Sequence, residues 1–185
     1  DDCYMSSIEV AYELRNVTDY LIASASEIMA YGMPYAVIGE YLLDDLDFQA
    51  VCDGFYDFYS AYSMPYGTLA VTVCAELEDL ATIMKKINTD YIFDESSENA
   101  LQRMDGYTPI IFYDYGDYVE KLCQDPVLLE RFEQQLSRAV PYKVHTDYFY
   151  SVTKGRVPIY TFSGITTSDP SKHSLTVSKN DTEWY

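Results

Sequence analysis

The sequence predicts a mixed α/β domain, on three observations. Short apolar runs rich in strand formers, residues 19–24 (DYLIAS) and 67–74 (GTLAVTVC), alternate with helical patterns. Over residues 47–62 and 126–140 the apolar side chains recur at helical spacing and gather on one face. After Pro141 the periodicity changes to the alternation of strands, rich in β-branched and aromatic residues.

The elements follow in order. Residues 5–15 predict a helix, with Ile8, Ala11, Tyr12 and Arg15 at helical spacing and Ser6 and Ser7 available to cap its start. Residues 19–24 then read as a buried strand. A helix followed by a buried strand is half of a parallel βαβ unit, so the expectation is a chain that begins inside a domain, with a strand before Asp1. Residues 34–43 predict a helix with Pro34 in its first turn, and 47–62 another, with Phe48, Val51, Cys52, Phe55, Phe58 and Tyr59 on one face. Residues 65–67 signal a turn before the 67–74 strand. Residues 77–88 read as a helix whose Lys85 and Lys86 suit the negative end of its dipole. Within the polar stretch 89–109, a helix is expected over 95–104, and two more over 113–123 and 126–140. Residues 142–152 and 156–162 predict strands joined by a turn at 153–155 (TKG). Residues 163–171 read as a loop, and 180–185 as the start of a helix. The division expected is a main body over 1–140 and strands over 141–185 that complete or flank the same domain. No internal repeat is visible.

Composition limits function. A chain of 185 residues with 48% hydrophobic and 16% aromatic content has the apolar surface to fold as one domain. No apolar run is long enough to span a bilayer. The net charge of −18, from 30 acids against 12 bases, excludes nucleic-acid binding, which needs Lys and Arg against phosphate. Between Arg15 and Lys85 there is no basic side chain, while Asp19, Glu27, Glu40, Asp44, Asp45, Asp47, Asp53, Asp57, Glu76, Glu78 and Asp79 are all acidic. Such a surface keeps a protein soluble or steers cationic partners toward it. Cys3, Cys52, Cys74 and Cys123 form no CxxC pair and no zinc spacing with His145 or His173. The last three sit in apolar sequence and read as buried thiols.

Cys3 differs. A thiol at a strand end just before a helix lies where open α/β sheets place ligands, and a helix N-terminus stabilises a thiolate. The same spacing also suits a small buried residue. Asp1-Asp2-Cys3-Tyr4-Met5, followed by Glu9-Val10-Ala11-Tyr12-Glu13-Leu14, resembles the clostripain family of cysteine peptidases, which reads D-A-C-[LFY]-M and then a helix with an E-x-A-Y-E-L-like stretch. Residues 19–24 with Glu27 and Gly32-Met33-Pro34-Tyr35, the late 163–166 (SGIT) and the terminal Glu183-Trp184-Tyr185 extend the resemblance to both ends of the chain.

The resemblance implies a fold like that of caspases, gingipains, legumain and separase: a largely parallel sheet flanked by helices, its N-terminal strands outside this chain. It implies Cys3 as nucleophile and Asp1 as the carboxylate that holds a basic side chain before the scissile bond. Glu27, by its place after a strand end, is expected either to line the same crevice or to serve the structure. The catalytic histidine is expected on a separate light chain of the same precursor, produced by cleavage at a basic residue. His145, in the alternating KVHTDYFY, reads instead as a strand histidine and His173 as an exposed loop residue. Substrates are expected to be proteins or peptides with Lys or Arg at the cut, and the location secreted or in a bacterial cell envelope. Calcium is allowed by the resemblance, but no EF-hand loop is present. Asp2 departs from the small residue the family places there, and its charge beside the thiol raises the cost of a thiolate. The alternative is a catalytically inactive homologue that binds a cationic protein or peptide.

Overall fold

In a computed structural model of the chain, residues 2–43, 46–169 and 174–184 are described, without the side chains of Leu175 and Thr176. Ser7 caps the first helix, α1 (Ile8–Leu14), by accepting from the Val10 amide at 3.4 Å. Strand β1 (Tyr20–Ala23) follows, then the short helices α2 (Tyr35–Ile38) and α3 (Glu40–Leu43). The single helix expected over 34–43 is interrupted at Gly39, where a Cβ would lie 2.6 Å from the Tyr35 carbonyl oxygen. Asp47 caps α4 (Phe48–Ala61), after which come β2 (Thr68–Val73) and α5 (Leu77–Asp90). The expected helix over 95–104 is a single 3-10 stretch, Glu95–Ala100. What reads as one helix over 113–123 opens as a strand, β3 (Phe112–Asp114), before α6 (Tyr115–Leu122). Asp125 and Pro126 start α7 (Pro126–Ala139), with the Asp125 carboxylate accepting from Val127 and Leu128 amides.

The expected 142–152 strand is two, β4 (Tyr142–His145) and β5 (Tyr148–Ser151), parted where the Thr146 hydroxyl donates to the Tyr148 carbonyl. β6 (Gly155–Pro158) returns against β5 as a hairpin. β7 (Thr166–Ser168) lies in the segment expected to be a loop and pairs with β3. A 3-10 stretch, Ser174–Asp181, follows.

The strands described in this chain do not themselves form the expected parallel sheet. β2 is central, flanked by β1 and β4, and both pairings are antiparallel, as are β3–β7 and β5–β6. Parallel contact among the described residues is limited to the Ser7–Thr166 bridge. A buried apolar run announces a strand covered on both faces but not its direction.

Both faces of this sheet are indeed covered. Leu69 and Val71 of β2 point into a core with Val51, Cys52, Phe55 and Tyr59 of α4. Ala70, between them, faces a second core built by α1, α5, α6 and α7 around Ile8, Leu80, Val119 and Phe132. Helix, sheet and helix thus form three layers, with alternate residues of one strand feeding opposite cores. Cys52, Cys74 and Cys123 are buried and unbridged, as their apolar surroundings predict.

Candidate active site

Cys3 is exposed to solvent, alone among the chain's cysteines in this respect. The segment around it lies alongside the end of β1: the Tyr4 amide donates to the Ser26 carbonyl at 3.1 Å and the Ser6 amide to that of Ser24 at 2.9 Å. The expected helix N-terminus does not adjoin the thiol, because α1 starts only at Ile8. The donor that reaches the sulfur comes from elsewhere, the Ile28 amide, whose nitrogen is 3.4 Å from Sγ. A backbone N–H aimed at sulfur fixes where the thiol sits, and a sulfur open to solvent can be reached by a carbonyl.

β1 therefore delivers two things at its end: the carbonyls that fix the Cys3 segment, and the Ile28 amide. Its end is held by hydroxyls. The Thr68 hydroxyl of β2 lies 2.8 Å from Ser24 Oγ and 3.0 Å from Ser26 Oγ, and accepts from the Ala25 and Ser26 amides. All these side chains are buried, so the polar turn stays satisfied without water.

Glu27, half-buried, sits between Ser26 and Ile28. Its Oε1 accepts from the Tyr4 hydroxyl at 2.9 Å and the Ser151 hydroxyl at 2.6 Å, and its Oε2 from the Val152 amide at 3.0 Å. The carboxylate thereby ties the β5–β6 hairpin to the residue after Cys3. Burial, and then Glu27, push the Tyr4 phenol well above the ordinary range, so it stays a donor.

A buried loop completes the wall. Asp105 has no exposed surface, and its carboxylate accepts from the amides of Tyr107 (2.7 Å), Ile111 (2.9 Å) and Phe112 (2.6 Å). Burial pushes Asp105 upward, opposed by those amides and by Arg103. The Tyr107 phenol is also raised, by burial first and then by the charges of Glu27, Asp105 and Cys3.

Of the residues expected in the site, the structure thus brings Cys3 and Glu27 together. Asp1 and His173 lie outside the described residues. His145 is half-buried at the end of β4, with Nδ1 2.9 Å from the Thr146 carbonyl and its ring 4.9 Å from that of Phe162. No hydrogen bond joins it to Cys3 among the described residues. Sequence reasoning missed Tyr4, Tyr107, Asp105 and Ser151. Asp105-Gly106 carries a turn signal, but nothing local marks Ser151, which meets Glu27 from 124 residues away.

Among the described residues, no three His, Cys, Asp or Glu side chains converge to hold a metal ion. No described helix is long and apolar enough to cross a membrane. A cavity of about 360 Å³ is lined by Met84, Phe93, Tyr113, Tyr118 and Trp184 among others. It includes neither Cys3 nor any other thiol or imidazole among its described lining, so the chemistry points to the Cys3 surface instead.

A profile of the clostripain family of peptidases matches residues 1–171. A clostripain from Bacteroides thetaiotaomicron ATCC 29148, solved in complex with the peptide inhibitor BTN-VLTK-AOMK, is 64% identical, with a TM-score of 0.97, over 100% of this chain and 83% of that one. A secreted C11 cysteine protease from Bacteroides thetaiotaomicron, "iotapain", gives the same identity and TM-score over 100% of this chain and 53% of that one. An inactive zymogen of a C11 protease from Parabacteroides distasonis is 31% identical, with a TM-score of 0.83, over 99% and 55%. The chain spans little more than half the length of the last two. No curated protein matches it.

Proposed function

The chain belongs to the clostripain family of cysteine peptidases, and from that premise we propose that it supplies the nucleophile of a secreted bacterial endopeptidase that cuts after Lys or Arg. The observation that carries the reading is the contrast in thiol placement: Cys3 is exposed with the Ile28 amide on its sulfur, and the other thiols are buried. In the proposed reaction the Cys3 thiolate attacks the scissile carbonyl, and backbone N–H groups beside it hold the developing oxyanion. The C–N bond breaks as a histidine protonates the leaving amine, leaving a thioester on Cys3. Water then hydrolyses the thioester and releases the carboxylic acid and the thiol. The histidine belongs to a light chain of the same precursor.

Asp1 and Glu27 are the proposed carboxylates for the basic side chain. Glu27 Oε2 accepts one described hydrogen bond and retains room for another. A carboxylate floor pairs with Arg through two bonds and with Lys as a point charge. The net charge of −18 and the lysine that ends the VLTK peptide of the relative's inhibitor favour the same specificity. The secreted relative favours a location outside the cell or in its envelope.

The test is cleavage of paired reporter peptides, with Lys or Arg against Ala before the scissile bond, by the full-length protein. Cys3→Ala should reduce turnover by about a thousandfold or more. Turnover that survives this change rules Cys3 out as nucleophile, whereas a parent protein without turnover favours the inactive, cation-binding homologue. Asp1→Asn should depress cleavage of the basic peptides alone; equal loss on all substrates removes Asp1 from the pocket.

A further inference from the structure

Tyr4, next to the proposed nucleophile, has a φ of 60°. Side chains other than glycine disfavour this left-handed region, so surrounding contacts must hold the residue there. Three do. Its amide donates to the Ser26 carbonyl. Its ring stacks on Phe112, with centroids 4.8 Å apart and planes within 4°. Its hydroxyl donates to Glu27 Oε1.

Each holder is itself fixed from a distance. Asp105 accepts from the Phe112 amide at 2.6 Å, and Ser151 and Val152 of the β5–β6 hairpin segment clamp the Glu27 carboxylate. The dipeptide Glu27–Ile28 then straddles Cys3–Tyr4: the Glu27 side chain holds Tyr4, and the Ile28 amide meets the Cys3 sulfur. A Tyr4 released to negative φ turns the preceding peptide and carries Cys3 away from that amide. Glycine would adopt this φ without restraint; a tyrosine locked from three sides keeps only one arrangement.

We infer that Tyr4 is a positioning residue of the peptidase reaction: held in the left-handed conformation by Phe112 and Glu27, it sets the Cys3 sulfur against the Ile28 amide, with the β5–β6 hairpin as the far anchor. The inference rests on Cys3 being the nucleophile. Tyr4 acts through Cys3 and touches no reacting atom.

Tyr4→Phe keeps the ring stack and removes the bond to Glu27. In the full-length protein, kcat should fall by about tenfold with KM within about twofold, and iodoacetamide should alkylate Cys3 more slowly at pH 6.5 by a similar factor. Ser151→Ala, which loosens the hairpin anchor, should move kcat in the same direction. The double variant should lose little more than Tyr4→Phe alone, because both cut one chain of contacts. A purely structural role instead lowers thermal stability and leaves kcat per folded enzyme unchanged. That result, an alkylation rate within twofold of the parent, or losses that multiply independently overturns the inference. With Cys3→Ala inactive, such results sink the role of Tyr4 alone. If Cys3→Ala retains turnover, the nucleophile assignment fails first and this inference goes with it.

Discussion

Cys3 and Cys52 carry the same thiol in opposite settings. Cys52 lies on the inner face of α4, 1% exposed, packed with Phe55 and Tyr59 against β2. Burial, with a smaller push from Asp53, lifts it to about 11. Cys3 stands in solvent at the end of the sheet, in a loop held by hydrogen bonds and by the stack of Tyr4 on Phe112. Helix interiors make thiols inert by drying them out. The loop gives its thiol access and an amide, together with a left-handed backbone at Tyr4.

That contrast can be broken most directly by labelling. Iodoacetamide at pH 7.5 should modify Cys3 about a thousandfold or more faster than Cys52, Cys74 or Cys123, since a buried thiol reacts only when the fold opens. Peptide mapping by mass spectrometry reads the outcome, and equal rates would erase the distinction. A smaller effect sharpens it from the packed side. Phe132→Ala empties a fully buried position of the helical layer and should cost about 3–5 kcal/mol in urea denaturation. Cys3 labelling of the folded variant should stay within about twofold of the parent; a larger change would mean that the two regions are coupled.

The smallest effect comes with alkali. Cys52 is raised to about 11 and the fully buried Tyr59 to about 12, chiefly by burial. From about pH 9 to 12 the unfolded chain has released protons that the folded chain keeps. Stability from these groups is therefore full below that window and falls as pH rises through it. Denaturant midpoints at pH 8, 9 and 10 should decline in the parent and decline less in Cys52→Ala.

The two regions were also unequally legible in the sequence. The packed layers announced themselves: α4, α5, α7 and β2 follow from apolar spacing and fall within a few residues of their expected bounds. The three-residue strands β3 and β7 are too short for alternation to register, and β3 was absorbed into the helix pattern that follows it. Antiparallel pairing was not visible, because a run such as TLAVTV is apolar whichever way its neighbours point. In the site, Cys3 and Glu27 were legible as chemical groups and through the family resemblance. Tyr4 reads only as part of the motif around Cys3, without a role of its own, since that role depends on Phe112 and on Glu27, themselves positioned by Asp105 and Ser151. Contacts between residues so far apart in sequence leave no local pattern.

The stretch without Lys or Arg, from Arg15 to Lys85, builds β1, α2, α3, α4 and β2. An enzyme of the proposed specificity finds no bond there that it could cut. Strand β1, the turn after it that carries Ser24 and Ile28, and the helix α4 are thus immune to self-digestion even when a molecule unfolds. Such an enzyme could meet itself at high concentration without losing the segment that packs beside its own nucleophile.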